Sequence, residues 1–350
     1  MAMTRRGRLV TSVTVVAVAG GVVFGVSTLA GHAKPTTGPS AGGSPSSSPS
    51  PTPPPVCPLT GVTLAHGAVP NRPALAVKVE NLPEARPQTG LDSADIVYEE
   101  PVEGGITRFI VVYQCSNAAR IEPIRSARLT DPDILDQFGT PIFGYAGGVA
   151  KVEAKVHQRG LIDVNYEKAA SAYHRDGSRS APHNLYSSTQ ALYAAAHTHG
   201  APPAPVFTYS ARPPAGALVA RTVHLPFSGS SDVYWKWSVK KKAWLRSHGT
   251  VPHTLSDGTQ VQATNVVVQV VKTVLTDITD ANGMPSPEVI ATASGKAYVF
   301  RNGKVIVGTW SRPSLSDLTV FRDASGNQIP LAPGTTWLEL LPNTIPVTYS

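Results

Sequence analysis

The chain has 350 residues, of which 41% are hydrophobic and 15% are charged. This composition is ordinary for a globular protein and excludes a wholly disordered chain. The formal net charge is +7, and three arginines near the N-terminus supply part of it, so that 7 − 3 = +4 remains for the rest. Such a mild excess predicts attraction to anionic partners without marking a nucleic-acid-binding protein.

The first 33 residues are typical of an export signal or a membrane anchor. Arg5, Arg6 and Arg8 precede an apolar stretch, Leu9–Ala30, whose only polar side chains are Ser and Thr. Gly31-His32-Ala33 offers the small residues that a signal peptidase reads, so cleavage after residue 33 is one interpretation. An uncleaved helix that spans the cytoplasmic membrane is the other. Both predict an extracytoplasmic protein, either secreted or anchored by this helix.

Residues 34–56 form a Pro/Ser/Gly tract with almost no apolar side chains. Such a tract cannot bury a core, so it predicts a disordered, semi-extended linker. The chain has two cysteines, Cys57 and Cys115, and both lie beyond the leader. In an oxidising compartment an even pair indicates one disulfide, and two unpaired buried thiols are the alternative.

Residues 57–210 predict an α+β domain. Short apolar runs at 74–79, 95–99 and 109–113 are β-prone and are separated by turn residues. Helices are expected at 131–138, 149–159 and from Ser187 or Ser188 to His199, because capping residues precede them or Gly follows them. The first domain therefore mixes helices with a sheet.

Residues 215–350 predict a mostly β domain, built as a small sandwich or an open barrel. Strands are expected at 222–227, 233–239, 266–271, 296–300, 304–309, 318–321 and 336–341. Asn302-Gly303 and Ser325-Gly326-Asn327 are hairpin-type turns between some of them. In the aromatic and basic run 234–244, Trp235 and Trp237 share one strand face. They suit a buried core or a sugar-stacking platform, and the adjacent lysines suit a solvated hairpin tip.

Polar and charged residues crowd the ends of the predicted strands in four segments, 81–91, 94–109, 122–128 and 173–186. These segments, in this order, resemble the YerB-like family of bacterial envelope lipoproteins, which pairs an N-terminal with a C-terminal domain of unknown function. The resemblance extends over about residues 57–345. It implies a location in the cell envelope and supplies no catalytic residues. A lipoprotein leader ends in a cysteine, and this leader has none, so a cleaved leader or a membrane helix must replace lipid attachment.

Several arginines lie in or beside these segments, and guanidinium groups bind carboxylate or phosphate through paired hydrogen bonds. The candidate ligand-binding residues are Arg108, Arg125, Arg128, Arg175, Arg179 and Asn184. If they line one cleft, it selects an anionic or glycan ligand of the cell wall or membrane. The alternative is that these arginines only pair with neighbouring carboxylates and hold loops together.

Glu100, Glu103 and His183 are candidate proton-transfer groups at such a cleft. Two functions follow: a non-catalytic binding or assembly factor, or a hydrolase or transferase acting on an envelope glycan or phosphoester. No cofactor is expected, because the chain has no Gly-rich phosphate loop with a following Lys. No metal is expected either, because Asp131, Asp133 and Asp136 suit a helix start and the histidines lack ligand spacing.

Overall fold

The computed structural model describes residues 54–350, except His66, His199 and Ala281. The predicted leader (1–33) and nearly all of the predicted linker (34–56) lie outside this range. None of the described helices is long and apolar enough to cross a membrane. The predicted disulfide is present, since Cys57 and Cys115 are bonded with their Cα atoms 6.1 Å apart. It joins the start of the folded part to the end of a central strand.

The part of the chain before residue 210 contains short helices and strands, as the sequence predicts. The helices are α1 (Thr130–Leu135), α2 (Ala150–Gln158) and α3 (Thr189–Ala195). The strands are β1 (Leu75–Glu80), β2 (Ile96–Pro101), β3 (Thr107–Tyr113), β4 (Ile142–Gly144), β5 (Ile162–Asp163), β6 (His174–Arg175) and β7 (Leu185–Tyr186).

The described residues after residue 210 form strands and the turns between them. The prediction that this part is mostly β is confirmed. The first six strands of this part are β8 (Leu218–Val219), β9 (Thr222–Ser228), β10 (Ser231–Ser238), β11 (Ala243–His248), β12 (Val251–Pro252) and β13 (Gln262–Ala263). They are followed by β14 (Asn265–Val271), β15 (Thr273–Thr279), β16 (Pro285–Val289), β17 (Ala293–Arg301), β18 (Lys304–Arg312), β19 (Val320–Asp323), β20 (Thr336–Pro342) and β21 (Thr348–Tyr349).

One large sheet runs through both parts, in the order β19-β18-β17-β14-β20-β2-β3-β1-β4-β5 with β8 beside β18. β20 lies between β2 and β14 and pairs with both in parallel. The expectation of a self-contained sandwich or barrel is therefore wrong, because β14, β17, β18, β19 and β20 extend the sheet of the first part. A second sheet contains β12-β11-β10-β9-β21, with β13 beside β11.

The central strands are buried on both faces, which explains their nearly continuous apolar sequence. On one face Val79, Val97 and Phe109 belong to a core that includes Trp235 and Trp244 of the second sheet. On the other face the strands share a core with residues of α1 and α2, including Leu135 and Val152. Every residue of β1 is buried.

A lysine and two carboxylates are buried together on the helical face of this sheet. Lys78, Glu100 and Asp131 have fully buried side chains, and the Lys78 ammonium forms salt bridges with both carboxylates. Lys78 Nζ donates to Asp131 Oδ1 at 2.7 Å. Removing one member of a buried ion pair leaves an uncompensated charge, which destabilises a protein strongly.

We expect Lys78→Met to lower the free energy of unfolding by about 3–5 kcal/mol, because two carboxylates would remain buried without their cation. Urea titration measures this loss. Combining Lys78→Met with Glu100→Gln should recover part of it, and Lys241→Met at an exposed turn serves as the control, with a change within about 0.5 kcal/mol. A loss below about 1 kcal/mol for Lys78→Met would contradict the role of the buried group.

Candidate anion-binding site

The arginine-rich segment 122–128 lies across the ends of β1, β2 and β3. Arg108 of β3 is opposite both Glu80 of β1 and Glu100 of β2, so these three side chains share one sheet face. The amide of Arg125 donates to the Lys78 carbonyl at 2.9 Å, which attaches segment 122–128 to β1. Strand register thus places charged residues from four chain segments side by side.

Arg108 is the most buried arginine of this group and has no carboxylate partner among the described residues. Only 5% of its surface is exposed. Its Nη1 donates to the Ser126 carbonyl at 3.2 Å, whereas its Nε is buried without any acceptor. Burial, followed by the charges of Arg128 and Arg125, lowers the pKa of Arg108 to about 10. The guanidinium therefore stays charged at neutral pH.

Arg125 and Arg128 lie on either side of Ser126, and each has one carboxylate partner. Arg125 Nε donates to Glu80 Oε1 at 2.8 Å, and Arg128 Nη2 donates to Glu103 Oε2 at 2.6 Å. We call Arg108, Arg125 and Arg128 the arginine cluster. Two of its guanidinium groups are each paired with one carboxylate, and the third, that of Arg108, forms no salt bridge with a described residue.

A recess of about 210 Å³ opens beside the arginine cluster. Glu103, Ser126 and Arg128 form one side of it, and Gly148 and Val149 lie on another. Gly147 has φ of +82°, a conformation that Gly adopts without strain, and lies between β4 and α2, where a Cβ would come within 3.1 Å of Ser126 Oγ. No side chain caps the N-terminus of α2, although the amides of Val152 and Glu153 donate to the Val149 carbonyl.

The third side of the recess comes from the second part of the chain. β15 and β16 form an antiparallel hairpin, and Thr279, Asp280 and Ser286 from this hairpin line the recess. Lys155 of α2 forms a salt bridge with Glu288 of β16 at 2.7 Å, which helps to hold the hairpin beside α2. The sequence analysis missed these residues, although the alternating pattern of 273–279 was a signal for a strand.

The three predicted proton-transfer residues do not line one cavity. Glu103 lines the recess, whereas Glu100 is fully buried with Lys78 and Asp131. Burial, with the charge of Asp131, raises the pKa of Glu100 to about 8. His183 Nδ1 lies 2.8 Å from Glu80 Oε2. His183 is thus connected to the arginine cluster through Glu80, outside the residues that line the recess.

The other predicted ligand-binding residues organise a neighbouring loop. Arg175 Nη1 donates to Asn184 Oδ1 at 2.8 Å, and Asn184 Nδ2 donates to the Arg179 carbonyl at 3.2 Å. Arg179 donates to the carbonyls of Ala85 and Pro87. None of the three lines the recess, and their contacts fit the loop-holding interpretation. Of the six predicted ligand-binding residues, Arg128 lines the recess, whereas Arg108 and Arg125 lie beside Ser126 without lining it.

The aromatic run contributes mainly to the core. Trp235 is fully buried, and its Nε1 donates to Glu339 Oε1 at 2.7 Å. Trp237 is partly buried and packs against Trp244, with ring centroids 5.5 Å apart. Lys241 and Lys242 are exposed at the turn between β10 and β11. Among the described residues no group of three His, Cys, Asp or Glu side chains could hold a metal ion.

The fold and this strand-end cluster define a two-part protein of the kind found in the family of unknown function DUF3048. The model of its N-terminal domain matches residues 59–202, and the model of its C-terminal domain matches residues 223–338. The chain belongs to this YerB-like family.

Two comparisons with a relative from Bacillus subtilis (strain 168) agree with this assignment. The chain is 27% identical over 294 residues to the protein named "Putative lipoprotein YerB", which covers 82% of this chain and 86% of the relative. The crystal structure of YerB from Bacillus subtilis superposes with a TM-score of 0.72 at 25% identity, covering 84% of this chain and 99% of that one.

We expect Glu103→Gln to remove a pH-dependent part of the stability. Burial alone would raise the pKa of Glu103, but hydrogen bonds and the charge of Arg128 outweigh it, so that the pKa falls from 4.5 to about 2. A lowered carboxyl pKa stabilises the fold above the unfolded value and ceases to do so as the pH falls towards the folded value. The difference in unfolding free energy between wild type and Glu103→Gln should therefore shrink from pH 6 to pH 2.5.

Urea titrations at half-unit pH steps measure this difference. Glu167→Gln is the matched control, because it removes the same charge at an exposed position. A difference that is the same at pH 6 and pH 2.5 would show that the Arg128 pair does not control the ionisation of Glu103.

Proposed function

We propose that the chain is an extracytoplasmic cell-envelope protein that binds an anionic group at the arginine cluster and does not transform it. The observation that carries this proposal is Arg108, which is 5% exposed and has no carboxylate partner in the described structure. A buried cation without a counter-charge is costly, and an incoming anion would supply that charge.

The location in the envelope is supported from two directions. The Cys57–Cys115 disulfide suits an oxidising compartment outside the cytoplasm. The relative from Bacillus subtilis carries the name of a lipoprotein, a class anchored at the outer face of the cytoplasmic membrane. Since this leader lacks a cysteine for lipid attachment, we propose secretion after cleavage or anchoring by the uncleaved N-terminal helix.

The proposed ligand is an acidic group of a wall polymer or a membrane-associated molecule. A recess of about 210 Å³ suits a single carboxylate or phosphate group with its nearest atoms rather than a long stretch of glycan. Arg128 and the uncapped start of α2 both offer donors there. Asp280 also lines the recess, but its Oδ1 accepts hydrogen bonds from the amides of Asn282 and Met284 at 2.9 and 2.8 Å.

Binding without catalysis is favoured over a hydrolase or transferase by the state of the candidate proton-transfer groups. Glu103 has a pKa of about 2 and is paired with Arg128. It is therefore deprotonated at neutral pH, which makes it a poor general acid and a poor general base. Glu100 is buried away from solvent, and His183 is paired with Glu80. These contacts support a cluster that binds a ligand and does not transfer protons to it.

We expect Arg108→Gln and Arg125→Ala to weaken retention of fractionated wall and membrane material by at least about tenfold, since each removes a charge-assisted donor or its support. Retained ligand and released product are both scored after incubation with the purified chain. Arg179→Ala is the matched control, because it removes an arginine outside the arginine cluster, whose guanidinium donates to the Ala85 and Pro87 carbonyls. Thermal unfolding of each variant verifies that it folds.

Unchanged retention by both folded variants would contradict the proposed site. Release of a chemically altered product that depends on Glu103 would contradict the non-catalytic role and favour the enzyme.

A further inference from the structure

A second crevice lies where the two parts of the chain meet, on the opposite face of the sheet from the arginine cluster. It has a volume of about 320 Å³. Arg86 and Pro87 line it from the first part, and His248, Val251, Pro252 and His253 line it from the second. The backbones are directly paired here, since the Ser256 amide donates to the Gln88 carbonyl at 2.9 Å.

The chemistry of this crevice is set by Arg246, which is fully buried behind it. Arg246 Nη2 donates to both Glu99 carboxylate oxygens, at 2.8 and 2.7 Å, so this pair is neutral overall. Arg246 Nη1 lies 2.8 Å from His248 Nε2 and 2.8 Å from His253 Nδ1. A guanidinium only donates hydrogen bonds, so both ring nitrogens must accept and cannot carry a proton.

This requirement fixes the proton positions on both rings. His253 carries its proton on Nε2, which donates to Gln88 Oε1 at 2.8 Å. His248 carries its proton on Nδ1, and this buried donor has no acceptor among the described residues. Burial, followed by the charge of Arg246, lowers the pKa of both rings, so they remain neutral in agreement with the hydrogen bonds.

Arg86 supplies the charge at the mouth of the crevice. Its Nε and Nη2 donate to the side chain and the carbonyl of Asn81, at 3.3 and 2.7 Å, and it forms no salt bridge with a described carboxylate. Burial and the charge of Arg246 lower its pKa to about 10, so it stays protonated at neutral pH. No carboxylate of residues 54–350, as far as the structure describes them, lines the crevice.

We propose that this crevice is a second binding site, selective for a small organic carboxylate that pairs with Arg86 and accepts the hydrogen bond of His248. Arg86 and His248 offer donors to the crevice, and the hydroxyl of Thr254, which also lines it, can donate or accept, so the set matches an acceptor. One uncompensated positive charge suits a monoanion better than a phosphate dianion. Pro87, Val251 and Pro252 supply apolar surface for the rest of the ligand.

Benzoate is a suitable probe, with benzamide as its neutral counterpart and inorganic phosphate as the dianion. Binding to the full chain is followed by calorimetry and by the ¹⁵N signals of the His248 and His253 rings. We expect saturable binding of benzoate that shifts the His248 Nδ1 signal, and at least about tenfold weaker binding of benzamide and phosphate.

Arg86→Gln should weaken benzoate binding about ten- to hundredfold, and Arg86→Lys should weaken it less, because the loss is that of a charge-assisted contact. His248→Phe should also weaken it. Arg175→Gln and His174→Phe are the matched controls, since both are exposed and lie outside the crevice. Arg128→Gln should leave the benzoate-induced shift of the His248 Nδ1 signal intact, which separates this site from the arginine cluster.

The ring signals of the unliganded wild type test the inference independently of whether any variant folds. Protonated Nε2 on His248, or protonated Nδ1 on His253, would overturn the assignment of donors. Equal binding of benzoate and benzamide, or benzoate binding unchanged in Arg86→Gln, would overturn the carboxylate site.

Discussion

The parallel pairing of β20 between β2 and β14 is the constraint on which the rest of the structure depends. β20 comes near the end of the chain, yet it provides the neighbour that β2 needs on its free edge. The sheet cannot be completed by either part alone. Both cavities with unpaired donors border residues from the two parts, so the pairing that completes the sheet also assembles them.

Each face of the sheet carries charged groups that are removed from water. On the helical face, the Lys78 ammonium is shared by Glu100 and Asp131, and the raised pKa of Glu100, about 8, favours the neutral form of that carboxyl. On the other face, Arg246 pairs with Glu99, and Glu339 accepts a hydrogen bond from Trp235. These charged groups therefore find a charged or hydrogen-bonding partner within the protein, although Glu100 Oε2, Glu339 Oε2 and Arg246 Nε have none among the described residues. Arg108 and Arg86 differ from these groups because neither has a carboxylate partner in the described chain. Arg86 lines a crevice, and Arg108 donates to Ser126, which lines the recess.

The secondary structure could largely be predicted from local sequence. The alternating and β-branched runs of β1, β2 and β3 are strong strand signals, and Asp131-Pro132 is a strong helix start. The residues of the arginine cluster were predictable as a group because they lie close together in sequence beside strand ends. Glu80 and Arg246 were not, because nothing local distinguishes a lysine, arginine or glutamate that will be buried from one that will be solvated.

The sequence by itself determined most of the longer elements, the Cys57–Cys115 bond and the presence of an arginine-rich segment, because periodicity, turn residues and cysteine number are local properties. Only the tertiary structure decided which side chains meet. It separated Glu100 from His183, set Arg175 and Arg179 apart from Arg108, and brought His248 next to Arg86. The physical reason is strand register: contacts across a sheet depend on pairings between residues up to hundreds of positions apart, which no local pattern encodes.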